Sequence, residues 1–347
     1  MRWTQESRPP GIAAALGAAL LFGAGTPLAK ILLGRIDPWF LAGLLYLGSG
    51  IGLTLYRWLR RAERVRLPTQ ELPWLAAAIV AGGVVGPVLL MLGLNAMPAS
   101  GASLLLNAES VFTALLAWFV FKENFDRRIA LGMLAIVAGA VVLNVSDQPR
   151  FATLWPALAV LGACLAWGVD NNLTRKVSLG DATWIASVKG LVAGTVNLAI
   201  AFAMRPALPS VISAVEAMIV GLLAYGISLT LFVVALRHLG AARTSAYFSI
   251  APFFGALLAF LMGEPLTGQI VAASALMAIG IALHLTERHE HLHTHEPVEH
   301  EHEHIHDAHH EHAEPEAAGV RHSHSHRHAP LTHSHVHFPD AHHQHPH

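Results

Sequence analysis

Ten apolar runs, each close to the length of a bilayer's hydrocarbon core, follow one another along the first 285 residues with only short polar breaks between them. A core of about 30 Å takes about 20 helical residues to cross. The runs fall at 11–33, 38–59, 73–96, 99–121, 128–145, 152–173, 182–204, 211–236, 242–262 and 267–285. The chain is therefore expected to be an all-α integral membrane protein of ten transmembrane helices. A composition of 54% hydrophobic and 13% charged residues agrees. The first run follows Arg8-Pro9-Pro10 without a small-residue cleavage site, so it reads as an uncleaved span and not as a signal peptide.

Charge gives the orientation, because cytoplasmic loops carry the excess of Lys and Arg. Between the runs, 15 basic residues collect on one side, among them Arg57, Arg60, Arg61, Lys122, Arg175, Lys176 and Arg237. The other side holds Arg35, Arg150 and Arg205. Both termini are expected in the cytoplasm, with the protein in the cytoplasmic (inner) membrane. No basic patch interleaved with aromatics occurs, which excludes a nucleic-acid role. Cys164 is the single cysteine, so no intramolecular disulfide exists and the residue reads as packing.

The halves repeat. Leu20-Leu21-Phe22-Gly23 lines up with Leu165-Ala166-Trp167-Gly168, and the same offset of 145 places Trp39 on Trp184. Further on, Leu115-Leu116-Ala117-Trp118 matches Leu257-Leu258-Ala259-Phe260, and Glu123 meets Glu264 after a slip of one. Five spans per copy is an odd number, so the second copy enters the membrane upside down. Inverted repeats of this kind build secondary transporters, whose site lies near the bilayer midplane. The domains expected are a first five-helix repeat at 1–146, a second at 147–286 and a tail at 287–347.

The ten spans, the two copies, the signatures Phe121-Lys122-Glu123 and Met262-Gly263-Glu264 and the following Leu131-Gly132-Met133-Leu134-Ala135 resemble EamA-type transporters of the drug/metabolite transporter superfamily. The resemblance covers residues 11–285 and implies a ten-helix carrier of small metabolites, often driven by protons. The family commonly has a proline in the fourth helix of each copy. Pro252 occupies that place in the second copy, but Ser110 stands there in the first, so the resemblance does not imply the same bend in both.

Polar groups inside the spans carry the site expectations, since one charge at the bilayer centre costs about 2.5 to 3.5 kcal/mol. Glu109 lies halfway along the fourth span, too deep to reach water, and is a candidate for exchanging a proton and coupling that to substrate movement. Thr113 follows one turn on, on the same face, and Asn107 is either a path residue or a pin for a structural acid. Asp170 and Asn171 end the sixth span while Lys189 opens the seventh, at similar depth. They read as an ion pair or as a gate that substrate separates. Lys30 is a weaker candidate because it can snorkel. Tyr225 and Trp167 offer amphipathic rings to the path or pack. Small residues at helix-contact spacing, such as Gly48 and Gly52, Gly82 and Gly86, and Gly190 and Gly194, read as sites of close helix approach. Pro27, Pro87, Pro156 and Pro252 read either as kinks or as places where freed carbonyls face a cavity.

Of 24 histidines, 22 lie in 289–347. They alternate with other residues at His289, His291, His293 and His295, at His300, His302, His304 and His306, and at His322, His324, His326 and His328. Imidazoles at that spacing suit zinc, nickel, cobalt or copper. With few apolar residues the tail is expected to be disordered. No cofactor is required, and a transition-metal ion on the tail is the one candidate. The leading function is a secondary carrier of a small metabolite in the lipid bilayer. The alternatives are a carrier of divalent transition-metal ions and a membrane-anchored metal sensor, and association into a homodimer is left open. An enzyme is not expected, because no nucleophile, base and orienting acid assemble from these motifs.

Overall fold

The computed structural model describes residues 10–121 apart from 64 and 66, 127–143, 151–204 apart from 179, 207–285, and the tail segments 290–295, 299–304, 322–327 and 331–336. Helix α1 is Pro10–Leu33 and α2 is Pro38–Leu59. The start of α2 is set by Asp37, whose carboxylate accepts from Trp39 N at 2.9 Å, and by Pro38 in the first turn, where a missing N–H does no harm. Then come α3 (Leu72–Ala78), a π-helical stretch Ile79–Val85 and α4 (Gly86–Asn95). Helices α5 (Ala99–Leu105) and α6 (Ala108–Phe119) share one run, and α7 is Arg127–Leu143. The second half holds α8 (Phe151–Val177), α9 (Ala182–Met204), α10 (Val211–Gly221), a second π-helical stretch Leu222–Ile227, α11 (Ser228–Phe248), α12 (Ala251–Leu261) and α13 (Gly268–Leu285).

The body is inverted relative to a water-soluble protein. Leu55, Val80, Phe119, Leu134, Val141, Leu257 and Ile279 are exposed, while Asn107, Thr113, Asn172, Lys189 and Asn197 are buried. An apolar exterior of that extent around a polar interior is a bilayer surface. Among the described residues seven helices are long and apolar enough to cross a membrane, by length and composition. Three shorter apolar helices accompany them, Ala130–Leu143, Ala251–Leu261 and Gly268–Leu283. Each of the ten runs expected from the sequence thus holds an apolar helix, three of them short, and the short one in the run 242–262 begins after a break at Ser249 and Ile250 between α11 and α12. The chain is a multi-pass helical membrane protein.

Packing sets helices of one half against helices of the other, among them α2 with α9, α7 with α13, α5 with α12, α1 with α11, and both α4 and α6 with α8. Lipid gives helices no hydrophobic reason to associate, so close backbone approach must supply the contact. Gly50 on α2 meets the Gly190–Leu191 backbone of α9 so closely that a Cβ on either glycine would overlap main-chain atoms.

Two irregularities recur in both halves. Each half has a π-helical stretch in its third run, and each breaks its fourth. In the first copy Leu106 and Asn107 form a turn, with Asn107 N on Leu104 O at 3.1 Å and Glu109 N on Leu106 O at 3.0 Å. In the second, Ser249 and Ile250 do the same, with Phe253 N on Ile250 O at 3.1 Å. Both copies therefore bend at the matching place although one lacks the proline. Ser110 stands where the second copy has Pro252, and it gives both its hydroxyl, at 2.8 Å, and its backbone N–H, at 3.2 Å, to Asn107 O at the break. Gly240, at φ 74°, interrupts α11, a backbone conformation that suits glycine.

The tail is a unit of its own. Its described part comprises four segments, β1 (Glu290–His295), β2 (Glu299–His304), β3 (His322–Arg327) and β4 (Leu331–Val336). Strand β1 pairs antiparallel with β4, and β2 with β3. The two-residue alternation of histidine is also the period of a strand, and low apolar content alone does not forbid a backbone ladder.

Candidate functional site

Pro87 organises the heart of the body. In the π register Gly86 N–H reaches back to Ala81 O, and Pro87 has no N–H to offer. The carbonyls of Gly82 and Gly83 therefore turn to side chains. Gly82 O accepts from the Tyr46 hydroxyl at 2.6 Å and from the Trp167 indole at 2.9 Å, and Gly83 O accepts from Asn197 Nδ2 at 2.9 Å. The freed carbonyls thus do not face open space but anchor α2, α8 and α9, and they fix two aromatic rings at the edge of a cavity.

That cavity, counted together with the open solvent it joins, takes in roughly 440 Å³ of space that no atom fills. The first half contributes Phe22, Tyr46 and Glu109, and the second contributes Trp167, Asp170, Asn171, Tyr225, Ser228, Phe232 and Phe248 among others. The rings form a connected wall. Phe22 meets Trp167 edge to face with centroids 5.6 Å apart, Tyr225 at 5.7 Å and Phe248 at 5.2 Å. Tyr46 lies 5.2 Å from Tyr225, and Phe232 lies 4.9 Å from Phe248. Such spacings are favourable for aromatic pairs.

Glu109 sits one turn past the break of the fourth run and also lines a second, smaller pocket with Ser110, Ser245 and Pro252. Asn171 Nδ2 donates to Glu109 Oε1 at 2.8 Å and to Thr113 Oγ1 at 3.1 Å. Among the described residues no lysine or arginine pairs with Glu109. Asp170 is the opposite case. Lys189 Nζ donates to its two oxygens at 2.5 and 2.7 Å and to Thr174 Oγ1 at 3.0 Å, and Thr174 Oγ1 donates to Asp170 Oδ1 at 2.7 Å. A fully buried lysine survives only with such partners, and Lys189 is 1% exposed.

The expected site residues thus divide. Glu109, Asp170, Asn171, Tyr225 and Trp167 line one cavity, with Thr113 and Lys189 directly behind them. Asn107 and Lys30 do not belong to it. Asn107 Nδ2 donates to Leu104 O at 3.1 Å and Met277 Sδ at 3.4 Å, stitching the break to α13. Lys30 Nζ caps the end of α4 on Leu94 O at 2.7 Å and Asn95 O at 3.2 Å. Phe22, Tyr46, Phe232 and Phe248 were not singled out in the sequence. The repeat held a signal for one of them, since Phe22 aligns with Trp167.

Charged groups gather at two ends. At one, Arg57 pairs with Asp181, and Arg237 donates to Ser178 O at 2.9 Å and Gly180 O at 2.5 Å. At the other, Glu264 accepts from Ala99 N and Ser100 N, each at 2.8 Å, and Arg35 meets Glu216 at 3.0 Å. Burial pushes both Asp181 and Glu264 up. Hydrogen bonds from Arg57 and the start of α9 outweigh that for Asp181, and hydrogen bonds from Ser100 and Ala99 with the charge of Lys30 outweigh it for Glu264. Both carboxyls end below their ordinary values. Glu123, the other half of the acidic signature, lies outside the described residues.

Among the described residues no group of three or more His, Cys, Asp or Glu could hold a metal ion. In the tail, the backbone register sets His291 opposite His335, His293 opposite His333, His300 opposite His326, His302 opposite His324 and His304 opposite His322. His289, His306 and His328 lie outside the described residues.

The model of the EamA-like transporter family matches this chain twice, over residues 9–145 and 154–286. The chain belongs to that family. As an EamA-like protein it is similar, at 28% identity over 78% of this chain and 84% of the relative, to an uncharacterized transporter of Methanothermobacter thermautotrophicus. A shorter stretch, 23% of this chain and 27% of the relative, is 33% identical to a probable amino-acid metabolite efflux pump of Salmonella typhimurium. One crystal structure shares the fold with a TM-score of 0.66 at 19% identity, covering 81% of this chain and 99% of that one. EamA-like proteins are transporters rather than enzymes, and those names agree with the membrane body and its central cavity.

Proposed function

We propose that this EamA-like protein is a secondary carrier that moves a small organic metabolite across the cytoplasmic membrane by alternating access, with Glu109 as the group that takes up and releases a proton. The observation that carries the reading is the cavity itself. It lies where the two matched regions meet, draws its wall from both, and holds a buried carboxyl group whose partner in the structure is an amide and not a cation. A carboxyl in that position can be neutralised by a proton or by a ligand, but not by a neighbouring side chain.

Ten crossings in two inverted copies fit the remaining geometry. Residues 57, 178–181 and 237 meet at one end, and residues 30–35, 94–100, 216 and 264 meet at the other. A chain that starts in the cytoplasm and crosses at each of the ten runs puts the first set inside and the second outside. The basic first set then faces the cytoplasm, as the positive-inside rule requires.

Sealed vesicles carrying the full chain test the proposal, with a panel of metabolites followed in the presence and absence of a proton gradient. At least one metabolite is expected to move, faster with the gradient, and Glu109→Gln is expected to remove the gradient dependence while the protein remains folded. Gradient-driven flux that survives in Glu109→Gln would overturn the assignment of that residue.

A further inference from the structure

We infer that the cavity selects organic monocations with a flat or bulky apolar body, exchanged one for one against a proton on Glu109. This deepens the carrier reading and rests on it. The argument begins with the hydrogen-bond donors around the cavity, because nearly all are already engaged within the protein. The Tyr46 hydroxyl and the Trp167 indole both point to Gly82 O, the two hydrogens of Asn171 Nδ2 go to Glu109 and Thr113, and Ser228 Oγ donates to Ala18 O at 2.8 Å. Apart from the Tyr225 hydroxyl, a ligand meets ring faces and acceptor oxygens.

Charge sharpens the selection. No lysine, arginine or histidine is among the residues that line the cavity. Lys189, a buried cation behind the wall, is held by both oxygens of Asp170 and by Thr174, so the pair cancels. An anion or the carboxylate of a zwitterion would find no partner and would face Glu109 instead. Burying an unpaired charge is costly, so both classes are rejected. A cation finds the reverse: one carboxylate free to neutralise it and π faces that attract positive charge.

Coupling follows from occupancy. The titratable and charged groups facing Glu109 are Asp170 on α8, neutralised by Lys189 of α9, the phenols Tyr46 and Tyr225, and the buried thiol of Cys164 on α8, which donates to Leu105 O at 3.6 Å. Arg175 on α8 and Arg243 on α11 are not among the residues that line the cavity. Glu109 is therefore the one carboxyl there without a cationic partner, and it cannot hold a proton and pair with a cation together. Binding of one displaces the other.

Purified full-length protein in detergent tests this with three probes of similar size: benzyltrimethylammonium as the cation, phenylalanine as the zwitterion and adenine as the neutral ring. Binding is read by calorimetry and by the fluorescence of Trp167 against a Trp167→Phe background, and proton release by a pH dye in weak buffer. The cation alone is expected to bind, to release up to one proton per cation bound, and to bind up to tenfold more tightly per unit rise in pH while Glu109 is protonated, about 1.4 kcal/mol. In Glu109→Gln, checked for an unchanged unfolding midpoint, binding should weaken at least tenfold and proton release should vanish. Should that variant not fold, proton release by the unaltered protein decides. Binding of adenine or phenylalanine in preference to the cation, or cation binding without proton release, overturns the inference. Flux of a neutral or zwitterionic metabolite in the vesicle assay would still uphold the carrier reading, whereas no flux of any compound would remove both.

Discussion

Lys189 and Asp170 carry opposite charges at one buried point, and each is tolerable only because of the other. Removing one partner of such a pair leaves a charge stranded, at a cost of about 3–5 kcal/mol. Lys189→Met is accordingly expected to lower stability by about that amount, and adding Asp170→Asn to it should restore most of the loss. Thermal unfolding of the three variants in detergent checks the pattern, and additive losses would contradict the pairing. Glu264 works at a second residue-level switch. Its carboxyl is held below its ordinary 4.5, so the stability it contributes is present above that pH and is lost as pH falls through the folded-state value. The unfolding midpoint should drop on acidification below about pH 4.5, and less steeply in Glu264→Gln. Residues like these were legible in the sequence because a charge inside an apolar run stands out by its cost. Aromatic rings do not. Phe22, Phe232 and Phe248 look like any other hydrophobic side chain in a membrane helix, and only packing reveals that they face a cavity and not lipid. Asn107 reads two ways for a related reason, since a polar residue in a span can serve either a site or a break in its own helix.

Breaks and bulges decide where the elements aim their side chains. The sequence marks Pro87 as an interruption, but not that the freed Gly82 carbonyl draws in Tyr46 from α2 and Trp167 from α8, because those donors lie far away in the chain. Either donor alone can satisfy that carbonyl in part. Tyr46→Phe and Trp167→Phe are therefore expected to cost under about 1 kcal/mol singly, while the double variant, which strands the acceptor, should lose about 1–3 kcal/mol. A double-mutant cycle read by thermal unfolding gives the coupling, and simple additivity would contradict the shared acceptor. The helix pair α2 and α9 offers a steric counterpart. Gly190→Leu drives a side chain into the α2 backbone and is expected to abolish folded, monodisperse protein in detergent. The break of the fourth run in the first copy was beyond the sequence for a similar reason. Proline announces a bend, but Ser110 reaches the same bend through a hydroxyl, a role that serine seldom declares.

At the scale of the whole molecule, the halves meet along helix pairs, of which α2 with α9, α5 with α12 and α7 with α13 join matching elements, and the two polar ends keep their charges apart from the cavity between them. Hydropathy and loop charge made the membrane class, the helical runs and the duplication legible, because bilayer thickness constrains every span alike. The closeness of the copies around the cavity was not legible, since it depends on glycine contacts between distant runs. The central claim is that the cavity opens in turn to each side of the membrane. Ser228 lines it, so Ser228→Cys in a Cys164→Ser background, probed with a membrane-impermeant maleimide on oriented vesicles, tests that claim most directly. Labelling is expected from either face, with a pH shift that favours one face disfavouring the other. Labelling from a single face under every condition, or from neither, would contradict alternating access.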